Sequence, residues 1–252
     1  MCGICGVYAF KENLGENDLA SAVSVMNKIQ ESRGPDAEGV SFIAAAGSSL
    51  AFGHRRLALL DLSPAGRQPM RKKKRKSGGF LEIIFNGEIY NFRELRTDLR
   101  NQGFDFQTET DTEVILTLFE CWGEDAFAKL RGMFAFALWD CEAERLFLVR
   151  DRFGIKPLFW GEKNGRLVFA STVKAIAASN LISLSKNRDA WLSFLLFGSV
   201  PLPLTTWQEI TAVPASCFLK IRRGDKKISH YYSSLPIFAN AATEADAASL
   251  GS

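Results

Sequence analysis

Turn signals between short alternating segments constrain the fold of this chain most strongly. Leu158 to Gly161 and Arg166 to Ala170 flank Asn164-Gly165, a dipeptide typical of two-residue β-hairpin turns. Met133 to Asp140 and Arg145 to Asp151 form a second alternating pair. Other segments place apolar residues at helical spacing, as at Leu19, Ala22, Val23, Met26 and Ile29. These patterns predict antiparallel hairpins packed against amphipathic helices, which is an α+β layered domain.

Length and composition fit one packed domain with room for an appendage. The chain has 252 residues, of which 47% are hydrophobic, so a packed core is expected. The net charge of +3 indicates neither a nucleic acid nor a membrane surface as partner. Five cysteines without regular spacing favour a reducing compartment over a disulfide scaffold. Because neither a secretory leader nor an apolar run of membrane-spanning length is visible, we expect a cytoplasmic protein.

A run of six cations extends from Arg71 to Lys76 and is followed by Ser77-Gly78-Gly79. Like charges repel and the Ser-Gly-Gly segment is flexible, so the run predicts a hairpin tip between two strands. The alternative is a nuclear-import or polyanion-binding patch. Aromatic residues are not interleaved with these cations, which favours the hairpin.

The feature that carries chemistry is the N-terminal segment, Met1 to Gly6. Removal of Met1 would leave Cys2 with a thiol and a free α-amine, and an amine of pKa roughly 8 can act as base for a neighbouring nucleophile. Two alternatives remain: Cys2 as a small buried hydrophobe, or Cys2 and Cys5 as a metal or redox pair. Because alternate residues of a strand face opposite sides, the pair is disfavoured.

Seven short motifs occur in order along the chain and together are highly specific. They are Met1 to Gly6, Arg33 to Asp36, Arg56 to Asp61, Asn86 to Asn91, Asp111 to Val114, Arg131 to Ala137 and Arg150 to Pro157. They resemble the class II glutamine amidotransferase domain of glutamine-hydrolysing asparagine synthetases, an N-terminal nucleophile hydrolase. The resemblance runs from Cys2 to about Ala178, and more weakly to Tyr232.

The resemblance implies a fold and a domain boundary. The expected fold is a four-layer αββα sandwich of two antiparallel sheets, of the N-terminal nucleophile hydrolase type. The glutaminase domain is expected to span residues 1–235. Residues 236–252 are then a linker or the start of a missing synthetase domain.

The resemblance also implies a catalytic apparatus. The Cys2 thiolate attacks the side-chain amide of glutamine, and its own α-amine serves as base and then protonates ammonia. The side-chain amide of Asn86 and the backbone N–H of Gly87 stabilise the oxyanion. We expect a sharp turn after a strand Leu81–Phe85 to place these two donors.

Free glutamine needs a cation for its carboxylate and anions for its ammonium group. Arg56 matches the carboxylate-binding arginine of the family, while Glu88 and Asp111 match the acidic residues that bind the ammonium. The full expected glutamine-binding set is Arg56, Leu57, Leu59, Leu60, Asn86, Gly87, Glu88 and Asp111. Without the resemblance, Arg56 would be an ordinary strand arginine, and Asp111 a first-turn carboxylate favoured by the helix dipole.

The family pairs this domain with an ATP-using synthetase domain that carries a Ser-Gly-Gly-x-Asp-Ser loop. Here Ser77-Gly78-Gly79 is followed by Phe80-Leu81-Glu82, so that loop is absent from the sequence. We therefore expect the chain to hydrolyse L-glutamine and to supply ammonia to a synthetase-type module in cis or in trans. We expect no metal or cofactor in this domain, ATP and Mg only in the synthetase domain, and no nucleic-acid or membrane partner. A homodimer is left open.

Two alternative functions are also consistent with the sequence. The chain could be a non-catalytic docking domain of the same fold, as the basic run and Thr172, where the family usually has an acidic residue, suggest. It could also be the glutaminase half of another amide-forming synthetase. A catalytic Cys–His dyad would need one of the only two histidines, His54 and His230. The two arginines beside His54 are expected to lower the pKa of its side chain and favour a neutral structural role.

Overall fold

The computed structural model describes residues 1–11, 14–45, 47–58 and 64–233, which contain twelve strands and six α-helices. The strands are β1 (Gly3–Ala9), β2 (Ala37–Ala45), β3 (Ser48–Arg56), β4 (Met70–Lys73), β5 (Phe80–Ile89), β6 (Gly132–Asp140), β7 (Arg145–Arg150), β8 (Phe159–Lys163), β9 (Arg166–Ala170), β10 (Ile210–Ala212), β11 (Cys217–Arg222) and β12 (Asp225–His230). The helices are α1 (Glu16–Ile29), α2 (Phe92–Asn101), α3 (Asp111–Trp122), α4 (Ala126–Lys129), α5 (Val173–Ala178) and α6 (Arg188–Phe197).

The strands form two six-stranded sheets. The first sheet has the order β10-β8-β9-β1-β3-β2, and the second has the order β12-β11-β7-β6-β5-β4. Every strand pairing in both sheets is antiparallel. Because β1 is a central strand, between β9 and β3, Cys2 lies at the end of a strand that is held on both sides.

Three hydrophobic clusters show how the layers stack. One cluster lies between the two sheets and includes Ile4 and Trp139. A second packs α1 and α5 on the first sheet and includes Cys5, and a third packs α2, α3 and α4 on the second sheet. Ile4 and Cys5 therefore face opposite sides of β1, as strand geometry requires. The expected four-layer αββα sandwich of two antiparallel sheets is confirmed.

Two hairpins predicted from local sequence are present. Asn164 and Gly165 join β8 to β9 with φ angles of 53° and 77°, as a two-residue turn with positive φ requires. The basic run forms the β4–β5 hairpin, closed by a 2.8 Å bond from the Lys74 N–H to the Gly79 carbonyl. Its ammonium groups pair with acids, for example Lys72 with Glu120 at 2.5 Å. The hairpin prediction is confirmed, and part of its positive charge is neutralised on α3.

The prediction of a turn at Asn86-Gly87 is wrong. Strand β5 continues to Ile89, with Gly87 opposite Phe134 of β6. A Cβ atom added to Gly87 would lie 2.2 Å from the Met133 carbonyl oxygen. Glycine is needed here because the neighbouring strand approaches closely, and not because the chain turns.

Candidate functional site

A cavity of about 230 Å³ opens beside Cys2, at the end of β1. Pockets for drug-sized ligands are about 300–1,000 Å³, so this cavity suits a smaller molecule. Seven of the expected site residues line it, namely Cys2, Arg56, Leu57, Asn86, Gly87, Glu88 and Asp111. Leu59 and Leu60 lie outside the described residues. The structure therefore brings together, in one small volume, residues that are up to 109 positions apart in sequence (111 − 2).

The Cys2 thiol is held against the loop that follows β3. The Leu57 N–H donates to Cys2 Sγ at 3.4 Å, and Sγ lies 3.7 Å from the Leu57 carbonyl oxygen. Burial raises the pKa of the Cys2 thiol above its usual value, although the Leu57 N–H, the N-terminal ammonium and Arg56 partly oppose this. The thiol is therefore protonated at neutral pH, and a nucleophilic role requires a base close to it.

The segment Arg33 to Asp36 holds the chain on both sides of this thiol. Arg33 Nε donates to the Cys2 carbonyl at 3.1 Å, and Asp36 Oδ2 accepts the Ala58 N–H at 2.8 Å. A Cβ atom on Gly34 would lie 2.4 Å from the Arg55 carbonyl oxygen, so this segment packs directly on β3. The sequence showed the motif but not its contacts, because Arg33 and Cys2 are 31 residues apart.

Asn86 presents a side-chain amide to the cavity. The residue is buried, and its Nδ2 atom has no hydrogen-bond partner among the described residues. Leaving a buried donor without an acceptor costs about 1–3 kcal/mol, and a ligand that accepts from this group would recover that free energy. The amide is thus available to an acceptor that enters the cavity.

The backbone of β5 supplies a second donor at the same place. On the edge that faces away from β6, the Phe85 N–H donates to Gln68 Oε1 at 2.6 Å and the Ile89 N–H donates to Asp111 Oδ2 at 3.0 Å. Alternate N–H groups of a strand point to the same edge, so the Gly87 N–H lies between these two bonds on that edge. It faces the cavity that Gly87 lines.

Asp111 and Glu88 provide the acidic part of the site. Asp111 is the first residue of α3, whose start is capped by a 3.3 Å bond from the Glu113 N–H to Thr110 Oγ1. Burial, with a smaller contribution from the charge of Glu88, raises the pKa of Asp111 to about 6, although the Ile89 N–H partly opposes this. The negative charge at this end of the cavity is therefore sensitive to pH close to neutrality.

Arg56 places a guanidinium group in the cavity wall. It is the last residue of β3 and is half-buried. A Cβ atom on Gly66 would lie 2.4 Å from Arg56 Nη2, so the guanidinium group rests against the backbone of Gly66. No pattern in the sequence pointed to Gly66.

The two histidines do not contact Cys2. His54 is buried, and its Nε2 atom lies 3.1 Å from the Phe85 carbonyl oxygen, which can only accept, so Nε2 carries the proton. Burial lowers the pKa of His54 to about 4, with a smaller contribution from Arg56. The expected lowered pKa is confirmed, but burial and not the arginines is its main cause. His230 Nδ1 instead lies 3.2 Å from Cys217 Sγ.

Within the described ranges, no group of three or more His, Cys, Asp and Glu residues is placed to hold a metal ion. No helix in the same ranges has the length and apolar character needed to cross a bilayer.

The family model for a glutamine amidotransferase domain matches residues 1–232. This chain belongs to that family. It is 37% identical over 234 residues to "Asparagine synthetase [glutamine-hydrolyzing] 1" of Bacillus subtilis, which covers 92% of this chain and 35% of the relative. It is 33% identical over 246 residues to "Putative asparagine synthetase [glutamine-hydrolyzing] 2" of Methanocaldococcus jannaschii, with 92% and 46% covered. The resemblance inferred from the motifs is thereby confirmed.

A solved structure supports the fold of this amidotransferase domain. Glutamine phosphoribosylpyrophosphate amidotransferase from B. subtilis, complexed with ADP and GMP, aligns with a TM-score of 0.66 at 21% identity, covering 92% of this chain and 49% of that one. The amidotransferase chain thus spans less than half the length of these curated and solved relatives. The expected boundary at residue 235 stays a prediction, and residues 236–252 lie outside the described residues.

Proposed function

We propose that this domain hydrolyses L-glutamine to L-glutamate and ammonia, with Cys2 as an N-terminal nucleophile after removal of Met1. The observation that carries the proposal is the cavity lined by both the Cys2 thiol and Asn86, whose Nδ2 atom has no hydrogen-bond partner in the described part of the chain. Membership of the glutamine amidotransferase family supports the substrate. Met1 also lines this cavity, so its removal would place the new α-amine beside the thiol.

The proposed reaction has two stages. The Cys2 α-amine accepts the thiol proton, and the thiolate attacks the Cδ carbon of glutamine to give a tetrahedral intermediate. Asn86 and the Gly87 N–H donate to its oxyanion, and the protonated amine passes its proton to the departing ammonia. The same amine then accepts a proton from a water molecule, which attacks the thioester carbon. This step releases glutamate and restores the thiol.

Glutamine is proposed to bind by its charged ends. The Arg56 guanidinium group suits the α-carboxylate, because a planar fork can form two parallel hydrogen bonds. Glu88 and Asp111 suit the α-ammonium group, since both carboxylates line the cavity. Backbone groups of Leu57, and by family resemblance those of Leu59 and Leu60, would complete the pocket.

A synthetase-type module is the proposed recipient of the ammonia. The curated relatives named above are asparagine synthetases, of which this chain covers 35% and 46%. ATP and Mg are proposed to bind in that module and not in this domain, and asparagine is the proposed product. Cytoplasmic location and homodimer formation stay predictions.

Helix α6 offers a surface for such a module. Only Ala190 of this helix is buried, whereas large apolar side chains are exposed along it, namely Trp191, Leu192, Phe194, Leu195, Leu196 and Phe197. A contiguous apolar patch of this kind usually marks a protein interface. We propose that the ATP-dependent module covers this face, since the relatives continue well beyond the length of this chain.

The test is glutamate release from glutamine by the purified chain and by Cys2→Ala. We expect the substitution to lower kcat at least about 10³-fold, as the loss of a nucleophile does. Cys121→Ala is the matched control, because Cys121 is also half-buried and does not line the cavity. Turnover by Cys2→Ala equal to that of the unsubstituted protein would support the docking-domain alternative. Intact-mass spectra of active protein should lack Met1, and retention of Met1 would contradict the amine-base mechanism.

A further inference from the structure

Among the described residues, no strand pairs with one edge of the part of β5 that carries Asn86. Strand β4 pairs with β5 only as far as Met70 opposite Ile83. At Phe85, two residues further along β5, side chains take the place of β4 as hydrogen-bond partners of the backbone. Gln68 Oε1 accepts the Phe85 N–H at 2.6 Å, and His54 Nε2 donates to the Phe85 carbonyl at 3.1 Å. Both polar atoms of the peptide groups at Phe85 are therefore held by side chains.

Gln68 also reaches the acidic side of the cavity. Its Nε2 atom donates to Thr112 Oγ1 at 3.3 Å, in the first turn of α3 and next to Asp111. The orientation of the amide is determined because the Phe85 N–H can only donate. A Cβ atom on Gly39 would lie 2.0 Å from the Gln68 carbonyl oxygen, so the backbone of Gln68 is packed tightly against β2. Gln68 thus links β5 to α3 from a packed backbone position.

We propose that Gln68 is a positioning residue that aims the two oxyanion donors, an inference that rests on the proposed glutaminase function. The Gly87 N–H lies two residues beyond Phe85 on the same edge, and Asn86 is the residue between them. A shift of Phe85 therefore moves both donors. Oxyanion donors act only within about 2.7–3.1 Å of the oxyanion, and a misplacement of about 1 Å can cost about 100-fold in rate.

This role predicts an effect on the chemical step but not on ground-state binding. Of the groups proposed to bind the charged ends of glutamine, Arg56 lies on β3 and Asp111 on α3, outside the part of β5 that the Phe85 bond holds. Loss of the Gln68 amide should therefore lower kcat and leave the affinity for an amino acid unchanged. A residue that bound substrate directly would show the opposite pattern.

The experiment compares two variants. Gln68→Met keeps the length of the side chain and removes both of its hydrogen bonds, whereas Thr112→Val removes only the bond between Gln68 Nε2 and Thr112 Oγ1. We expect kcat for glutamine to fall about 10- to 100-fold in Gln68→Met and about 3- to 10-fold in Thr112→Val. The Kd of L-glutamate, measured by calorimetry in a Cys2→Ala background, should change less than about 3-fold. Gln102→Met, at an exposed glutamine after α2, is the control and should behave as the unsubstituted protein.

A second measurement follows hydrogen exchange at the Phe85 amide. Exchange should be faster in Gln68→Met and should remain slow in Gln68→Glu, whose carboxylate can still accept this N–H. Unchanged kcat, unchanged Phe85 exchange, or a loss of glutamate affinity with kcat retained would each overturn the proposal for Gln68. If Gln68→Met does not fold, an unchanged kcat in Thr112→Val overturns it. Absence of cysteine-dependent turnover in the unsubstituted protein would instead refute the proposed function.

Discussion

At the scale of single residues, burial moves two groups of the cavity toward their neutral forms. It raises the pKa of the Cys2 thiol, and it raises the pKa of Asp111 to about 6. A protonated thiol needs a base, whereas a protonated Asp111 cannot attract an ammonium group. Under the proposed mechanism, the same desolvated cavity makes the nucleophile depend on the α-amine and makes substrate binding depend on pH.

We predict that kcat/KM for glutamine falls as the pH drops through about 6, because Asp111 then takes up a proton. Asp111→Asn should remove the step near pH 6, leaving the fall at higher pH that protonation of the Cys2 α-amine causes, and should raise KM about 10- to 100-fold, which is the effect of losing one charged contact. The measurement is a pH profile of initial rates. Glu109→Gln serves as control, because the side chain of Glu109 is 80% exposed. If kcat/KM of Asp111→Asn still falls near pH 6, the assignment of that step to Asp111 is contradicted.

The same variant separates loss of binding from unfolding. The pKa of Asp111 is higher in the folded chain than in the unfolded chain, so its ionisation destabilises the fold. This penalty is absent below about pH 4 and fully present above about pH 6. At pH 7, Asp111→Asn should therefore raise the free energy of unfolding by about 1–3 kcal/mol even as it weakens glutamine binding.

At the scale of elements, β5 combines a regular strand with a row of donors. One edge pairs with β6 along the length of the strand, and the other edge pairs with β4 only at its beginning. The remaining edge is open to side chains and to the cavity. The close approach of β6 leaves no room for a side chain at Gly87.

We predict that Gly87→Ala lowers the free energy of unfolding by about 2–4 kcal/mol and abolishes glutamine turnover. The added methyl group would meet the Met133 carbonyl oxygen at 2.2 Å and force β5 away from β6. Urea denaturation measures the loss. Gly15→Ala is the matched control, since the nearest atom to its Cβ is Asp18 Oδ2 at 3.7 Å and its φ is −60°. Stability equal to that of the unsubstituted chain would show that the strands can separate without cost.

At the scale of the whole molecule, the sandwich buries its apolar surface in three layers but leaves α6 uncovered. Leu195 is 78% exposed and Phe197 is 76% exposed. These side chains contribute little to the folding of this chain, because they remain in contact with water. The surface is therefore available for the proposed ATP-dependent module.

We predict that the double variant Leu195→Lys and Phe197→Lys keeps its glutaminase rate and its melting temperature. In the assembly with the synthetase-type module it should lose glutamine-dependent amide formation and retain the ammonia-dependent reaction, because the module no longer docks. Ala190→Lys is the contrasting variant, since Ala190 is buried on the same helix and a lysine there should unfold the chain. Full glutamine-dependent synthesis by the double variant would place the interface elsewhere.

Much of the fold and the site could be predicted from the sequence because the signals are local. Asn164-Gly165 predicts its hairpin through the positive φ angles that its turn needs, and Asp111, expected in the first turn of a helix, begins α3. The motifs named Cys2, Arg56 and Asp111 as members of one site before any distance was known, and the structure places them around one cavity. Each of these inferences uses residues within a few positions of one another, or a family resemblance.

Only the tertiary structure decided the arrangement of β5 and the contacts that hold the cavity in place. Asn86-Gly87 has the sequence of a turn but lies in a strand, because pairing with β6 more than forty residues later outweighs its local preference. The bonds from Arg33 to Cys2 and from Phe85 to Gln68 span 31 and 17 residues. Such contacts arise when the layers pack, since sequence periodicity specifies which face a residue takes but not which distant atom it meets.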